Sequence, residues 1–261
     1  MKPIRAMRQA IQNREVVPSN GHYIEGSVVR SAYQLETHKN IEILKQGNQK
    51  RALVHAANYP KLEIDLDFLP AAAESYHISP DPKDYIIVSL PIVTADIPNR
   101  NLQMFPLQEV THFDPMFGMM VYQTFKHKPC HIDHVNEDPT QAKGVHIDAS
   151  MQHVDKYDIW KINVLTIWDR SKDPKLVQAI LDKKRTGYSM GATVSYFLCS
   201  VCGQIDNMDS QSCKHMQNIG ELYGEEKRLA MQVCTGVCYF ETSNLEQEPA
   251  DPSAYSEDIY I

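Results

Sequence analysis

Between residues 118 and 242 strand signals recur at short intervals while helical ones are few, and this pattern restricts the folds open to the chain. Gly118–Phe125, Gly144–Ala149, Trp160–Trp168, Ala192–Cys199 and Val233–Thr242 are rich in β-branched and aromatic residues. Trp160, Ile162, Val164 and Trp168 alternate with Lys161 and Asn163, the two-residue period of a half-buried strand. Tyr85–Val93 reads as a further buried strand after the turn Asp81-Pro82-Lys83-Asp84. Helical spacing is clearest in Pro174–Arg185, where Leu176, Val177, Ile180 and Leu181 make one apolar stripe. Asp173 suits its N-cap, Lys183, Lys184 and Arg185 suit the negative end of its dipole, and Gly187 is expected to stop it. Glu221–Gln232 is expected as another helix. The balance predicts an α+β fold with a strongly curved or barrel-like mixed sheet.

At 261 residues the chain can bury a sizeable core. Residues 1–20, with Ile4, Met7 and Ile11 on one side, read as a basic helix or arm. Residues 22–33 are a candidate first strand, and 34–80 have no clear pattern. The main domain is placed at 21–255, with an insertion at about 199–220 and a C-terminal tail at 256–261. The stretch Glu246–Ile261 is acidic, contains proline and is expected to be extended. A net charge of −7 argues against nucleic acid as the main partner. No stretch approaches the roughly 20 apolar residues of a membrane span, and the N-terminus lacks the apolar core of a secretion signal.

Ser189 lies in Thr186-Gly187-Tyr188-Ser189-Met190-Gly191, at the expected junction of helix and strand, where flexible neighbours would present its hydroxyl. A serine is a poor nucleophile until an imidazole takes its proton and a third group orients that imidazole. The candidate base is His134, in Cys130-His131-Ile132-Asp133-His134. On a strand His131 and His134 would face opposite sides, so only one would join a site. A metal site of His131, Asp133 and His134 ranks lower because it lacks a helical His-x-x-x-His pattern. Glu241, a carboxylate inside an otherwise apolar strand, either faces solvent or turns inward and needs a partner such as His134.

Six cysteines are present, and without a secretion signal they are expected to be reduced. Cys199-Ser200-Val201-Cys202-Gly203 followed by Cys213-Lys214-His215 spells C-x2-C-x10-C-x-H, a closed Cys₃His zinc set with the glycine of a knuckle turn. Cys234 or Cys238 are alternatives to His215 as fourth ligand. The polar loop Gln204–Ser212 has little reason to order itself without a metal. Four protein ligands leave no open position, so the expected zinc is structural.

Four stretches together resemble the prohead core (capsid assembly) serine proteases of tailed bacteriophages, T-even type, which share a fold with the herpesvirus assembly protease. They are Asn99-Arg100-Asn101 with Phe105-Pro106; Asp133-His134 with Asp138-Pro139; Tyr188-Ser189-Met190-Gly191; and Phe240-Glu241-Thr242-Ser243 with Pro249-Ala250-Asp251-Pro252. The resemblance spans roughly residues 85–255 and implies a strongly curved or barrel-like, mostly antiparallel sheet surrounded by helices, to which the small zinc-binding insertion is added, with Ser189 as nucleophile, His134 as general base and Glu241 as third member. It departs from the herpesvirus enzymes, which carry a second histidine in the third place. The family pattern does not require the cysteine-rich insertion. No cofactor for the chemistry is implied, and backbone N–H groups are the expected oxyanion donors. The implied substrates are phage scaffold or core proteins, the major capsid protein and the chain's own segments, with Ile219-Gly220-Glu221 a candidate for self-cleavage. The implied location is the prohead interior, in the host bacterial cytoplasm. Such a protease must stay silent until the head assembles; the sequence leaves the route open among loss of residues 1–20, loss of the tail and homo-oligomerisation. The competing readings are an inactive scaffold or capsid-associated protein of the same fold and, more weakly, a zinc-dependent nucleic-acid module.

Overall fold

The computed structural model describes residues 66–154, 157–206 and 212–260. The arm at 1–20, the strand at 22–33 and most of the segment 34–80 lie outside them. Among the described residues thirteen strands are formed. They are β1 (Tyr85–Thr94), β2 (Gln103–Met104), β3 (Phe113–Asp114), β4 (Met119–Met120), β5 (Pro129–Ile132), β6 (Gly144–Val154) and β7 (Ile159–Asp169). These are followed by β8 (Gly187–Cys199), β9 (Ile205–Asp206), β10 (Leu222–Tyr223), β11 (Arg228–Leu229), β12 (Gln232–Leu245) and β13 (Asp258–Tyr260). The helices are short: α1 (Leu69–Tyr76), α2 (Leu107–Thr111), α3 (Pro174–Leu181) and α4 (Lys214–Gln217).

The fold is α+β and mostly sheet. One large sheet runs in the order β13-β1-β7-β6-β5-β12-β8-β9, with β2 beside β12. All its pairs are antiparallel except β12 with β2 and with β5. Among the described residues the sheet stays open, ending at β13 and β9, so the barrel-like expectation is corrected. Register breaks in three pairings, β1/β7, β6/β7 and β8/β12, mark bulges that bend and twist the sheet without closing it.

The core explains which faces are buried. Ile86, Val88, Leu90 and Ile92 of β1 alternate inward and meet Ile162 and Val164 of β7, Trp168, and Tyr188 of β8. Trp168 and Tyr188 pack with ring centroids 5.8 Å apart. Helix α3 lays Leu176, Val177 and Ile180 onto this core, and the Asp173 carboxylate caps it by accepting from the Leu176 N–H at 3.0 Å.

Four local expectations are corrected. Helix α3 ends at Leu181, well before Gly187; Lys183 takes the left-handed conformation (φ 55°) and turns the chain. Ser189 therefore sits inside β8, as its third residue, and not in a helix-to-strand turn. Gly118–Phe125 is mostly a 3₁₀ helix (Val121–Phe125) that buries Val121 and Phe125. Glu221–Gln232 is not a helix: Gly224 and Lys227, both at positive φ, close the β10–β11 hairpin instead. The stretch expected as an extended C-terminal tail returns to the sheet, where Asp258–Tyr260 pairs with β1 and Tyr255 bridges Gly187.

Candidate active site and metal centre

Strands β8 and β12 pair over almost their full length, and both candidate centres lie on this ribbon. Ser189 stands opposite Ser243, and Gly191 opposite Glu241. Directly opposed residues share a face, and so do residues two apart on one strand. Ser189, Gly191, Glu241 and Ser243 therefore occupy one face, turned away from the Tyr188 side.

His134 reaches this face from a tight turn after β5. Asp133 and His134 both adopt left-handed conformations (φ 49° and 58°), and the Val135 N–H donates back to the Ile132 carbonyl at 2.9 Å. Two consecutive non-glycine residues in this region cost about 1–3 kcal/mol each. Arg185 offsets the strain. Its Nη2 donates to both Asp133 carboxylate oxygens at 3.1 Å, its Nε donates to Asn244 Oδ1 at 2.6 Å, and its Nη1 pairs with Glu246 at 3.0 Å. The Asp133 N–H in turn donates to the Asn244 carbonyl at 3.1 Å, extending the β5–β12 pairing into the turn.

Glu241 is completely buried, and its Oε1 accepts from His134 Nδ1 at 2.9 Å. That bond places the proton on Nδ1 and leaves Nε2 a base. Ser243 donates to Glu241 Oε2 at 2.8 Å and accepts from the His134 backbone N–H at 3.1 Å. The Glu241 bond raises the His134 pKa above its ordinary value; burial opposes the rise, and the charges of Glu241 and Asp133 add to it. Gly191 makes room for the carboxylate, since a Cβ there would lie 2.6 Å from Glu241 Oε1. The structure thus joins His134 to Glu241 and sets Ser189 on their face. Among the described residues no hydrogen bond links Ser189 to His134. Such bonds commonly tighten only when substrate is bound.

His131, two residues inside β5, is buried, and burial lowers its pKa. It does not join a metal cluster with Asp133 and His134 among the described residues. Ser189 also borders a narrow cleft with Ile92, Val93, Phe105, Tyr188, Met190, Ala250 and Asp251. The cleft wall is braced by Arg100, whose N–H donates to the Ala250 carbonyl at 2.8 Å and whose Nη1 donates to the Pro249 carbonyl at 2.6 Å. Asp251 accepts from the Thr94 N–H at 2.5 Å. A larger, open hollow of about 510 Å³ lies beside His77, Ser79, Thr140 and Lys172. Its charged groups are already engaged: Lys172 Nζ donates to the carbonyls of Tyr76, His77 and Thr140, and Asp169 accepts backbone N–H groups from Ser79, Ser171 and Lys172.

At the far end of the same ribbon, Cys199, Cys202, Cys213 and His215 bring their ligand atoms within 4.8 Å of one another. Cys202 Sγ and Cys213 Sγ are 3.6 Å apart, and Cys213 Sγ lies 3.8 Å from His215 Nδ1. A tetrahedral zinc with ordinary bond lengths sets such edges at about 3.5–3.8 Å. Gly203 (φ 66°) closes the knuckle and donates its N–H to the Cys199 carbonyl at 2.8 Å. Cys213 precedes α4, which carries His215, and the Tyr223 ring meets the His215 ring edge-on at 4.5 Å. This cluster could hold a metal such as zinc, with His215 as the fourth ligand. Cys234 is buried within β12 and Cys238 lies further along it, outside the cluster.

What the first centre defines is a class: hydroxyl, imidazole and buried carboxylate on one sheet face. No protein-family model, curated protein or solved structure matches the chain. Among the described residues no helix is long and apolar enough to cross a membrane.

Sequence reading had missed Ser243, Gly191 and Arg185 as parts of this site. The two-residue period of β12 was the available signal for Ser243, because it puts residues 241 and 243 on one face.

Proposed function

We propose that this chain is a serine endopeptidase in which Ser189 is the nucleophile, His134 the general base and Glu241 the residue that orients and charges His134. The observation that carries the reading is the fully buried Glu241 carboxylate bonded at 2.9 Å to His134 Nδ1, on the face that also bears Ser189. A buried carboxylate is costly unless it is bonded, and here both its oxygens are.

Ser189 Oγ attacks the carbonyl carbon of the scissile peptide while its proton passes to His134 Nε2. Glu241 stabilises the resulting imidazolium, which returns the proton to the leaving amine as the C–N bond breaks. Water then repeats the sequence on the acyl-enzyme and restores Ser189.

The four stretches that resemble phage prohead proteases also support a narrower reading, and in this structure they meet around β12. His134 bonds to Glu241, Ser189 opposes Ser243, and Arg100 holds the Pro249–Ala250 backbone. On this reading the substrates are scaffold and capsid proteins inside an immature head, and the open sheet is a herpesvirus-protease-like fold. The Cys₃His cluster binds zinc as a structural element. Ile219-Gly220-Glu221 is a poor self-cleavage site in the folded chain, because the Gly220 N–H and the Glu221 carbonyl are both bonded to Ala230.

A fluorophosphonate probe tests the chemistry, and co-expression with scaffold and capsid proteins tests the substrates. Wild-type protein labels at Ser189 and processes both; Ser189→Ala does neither. Absence of labelling in folded wild-type protein would favour the inactive scaffold protein of the same fold.

A further inference from the structure

The hydrogen bonds around His134 form a closed ring that runs through a residue with no assigned role. The His134 imidazole donates to one oxygen of Glu241 at 2.9 Å. The His134 backbone N–H donates to Ser243 Oγ at 3.1 Å, and that hydroxyl donates to the other Glu241 oxygen at 2.8 Å. A single carboxylate thereby holds both the ring and the backbone of His134, directly at one end and through Ser243 at the other. Ser243 is fully buried, so water does not substitute for it.

We propose that Ser243 is a positioning residue of the site: it fixes the Glu241 carboxylate and the strained His134 turn in one geometry, so that Nε2 is aimed at the face bearing Ser189. This rests on the serine endopeptidase reading for its consequence in catalysis, but the positioning itself does not. A hydroxyl is the group the geometry requires, because Ser243 donates in one direction and accepts in the other. Alanine would leave the buried Glu241 Oε2 and the His134 backbone N–H both without these partners. The carboxylate would then be free to rotate away from Nδ1.

The charged and titratable groups facing His134 are Glu241 and Asp133; Arg185 pairs with both Asp133 and Glu246, and the buried His131 ring and Cys130 thiol lie near Glu241. Ser243→Ala alters none of their formal charges. A change in His134 titration would therefore report geometry.

The test is NMR titration of the His134 ring in the Ser189→Ala background, compared with Ser189→Ala/Ser243→Ala and Ser189→Ala/Ser243→Thr. The alanine variant should lower the His134 midpoint toward that of an ordinary histidine, and threonine should retain it. In the otherwise wild-type enzyme, Ser243→Ala should cost roughly 10–100-fold in kcat with little change in KM. If the alanine variant does not fold, Ser243→Cys, which keeps the volume but donates weakly, should show the same direction of change. A folded alanine or cysteine variant with an unmoved or raised midpoint overturns the proposal. If the midpoint falls as expected and wild-type protein cleaves nothing, the positioning stands and the endopeptidase reading fails.

Discussion

The two ends of the β8–β12 ribbon are organised by opposite means. At the Ser189 end the fold holds reactive groups in place: left-handed backbone at Asp133 and His134, an arginine clamp, a buried carboxylate and a missing Cβ at Gly191. At the Cys199 end four ligating side chains stand ready to hold the fold in place around α4 and the β10–β11 hairpin. Ten residues of β8 separate them, about 33 Å at strand spacing. Interactions that close a site for chemistry are satisfied internally and cost strain, whereas a metal staple supplies stability where apolar contacts are few. The cluster of Leu198 and Ile205 next to the cysteines is small beside the main core.

Ser189→Ala sharpens this contrast most. Cleavage should fall by on the order of 10⁴-fold or more, while the melting temperature and the bound metal stay unchanged. Cys202→Ser or Cys213→Ser should do the reverse. Metal content by elemental analysis should drop, and each kcal/mol of stability lost should lower Tm by about 2–4 °C. Residual activity per folded molecule should stay within a few-fold of wild type. Equal activity losses at both ends would break the division of labour.

The same contrast explains what was legible in the sequence. The four residues that could hold a metal fall within one stretch, from Cys199 to His215, and their spacing pointed to a tetrahedral set, with only the fourth member left open. His134 and Glu241 are 107 residues apart, and nothing local marks them as partners. Their pairing was expected only from the resemblance and from the oddity of a carboxylate in an apolar strand. The long strands were legible from two-residue alternation, as in β7, because both their faces are set by the core. The β10–β11 hairpin was not, since Gly224-Glu225-Glu226-Lys227-Arg228 has helix-forming composition and only the backbone at Gly224 and Lys227 reveals the turn. Gly191 could not be read as essential because its reason, the approach of Glu241, is a contact across strands.

Gly191→Ala probes that contact. The added methyl must displace Glu241 or separate β8 from β12, and a shift of about 1 Å at the site should cost roughly 10²-fold in kcat. Global stability should change less than in the cysteine variants. Arg185→Ala should lower kcat by about 10-fold, because Asp133 loses its bidentate partner and the strained turn relaxes.

The smallest and most diagnostic effect is on pH dependence. In the proposed mechanism His134 can act as a base only when neutral, and Glu241 raises its pKa. In wild type kcat/KM should therefore rise with pH through a midpoint above that of an ordinary histidine. Glu241→Gln keeps the shape but removes the charge, so His134 should titrate lower and the acid limb should move to lower pH, even as the plateau falls. The corresponding stability has the opposite slope. A histidine whose pKa is raised on folding contributes fully below its unfolded pKa, and that contribution disappears as pH climbs through the folded value. Addition of a chelator should leave this limb where it is, because the Cys₃His cluster lies at the other end of the ribbon. A limb that moves on chelation would mean that the staple sets the register of β8 against β12 all the way to Ser189.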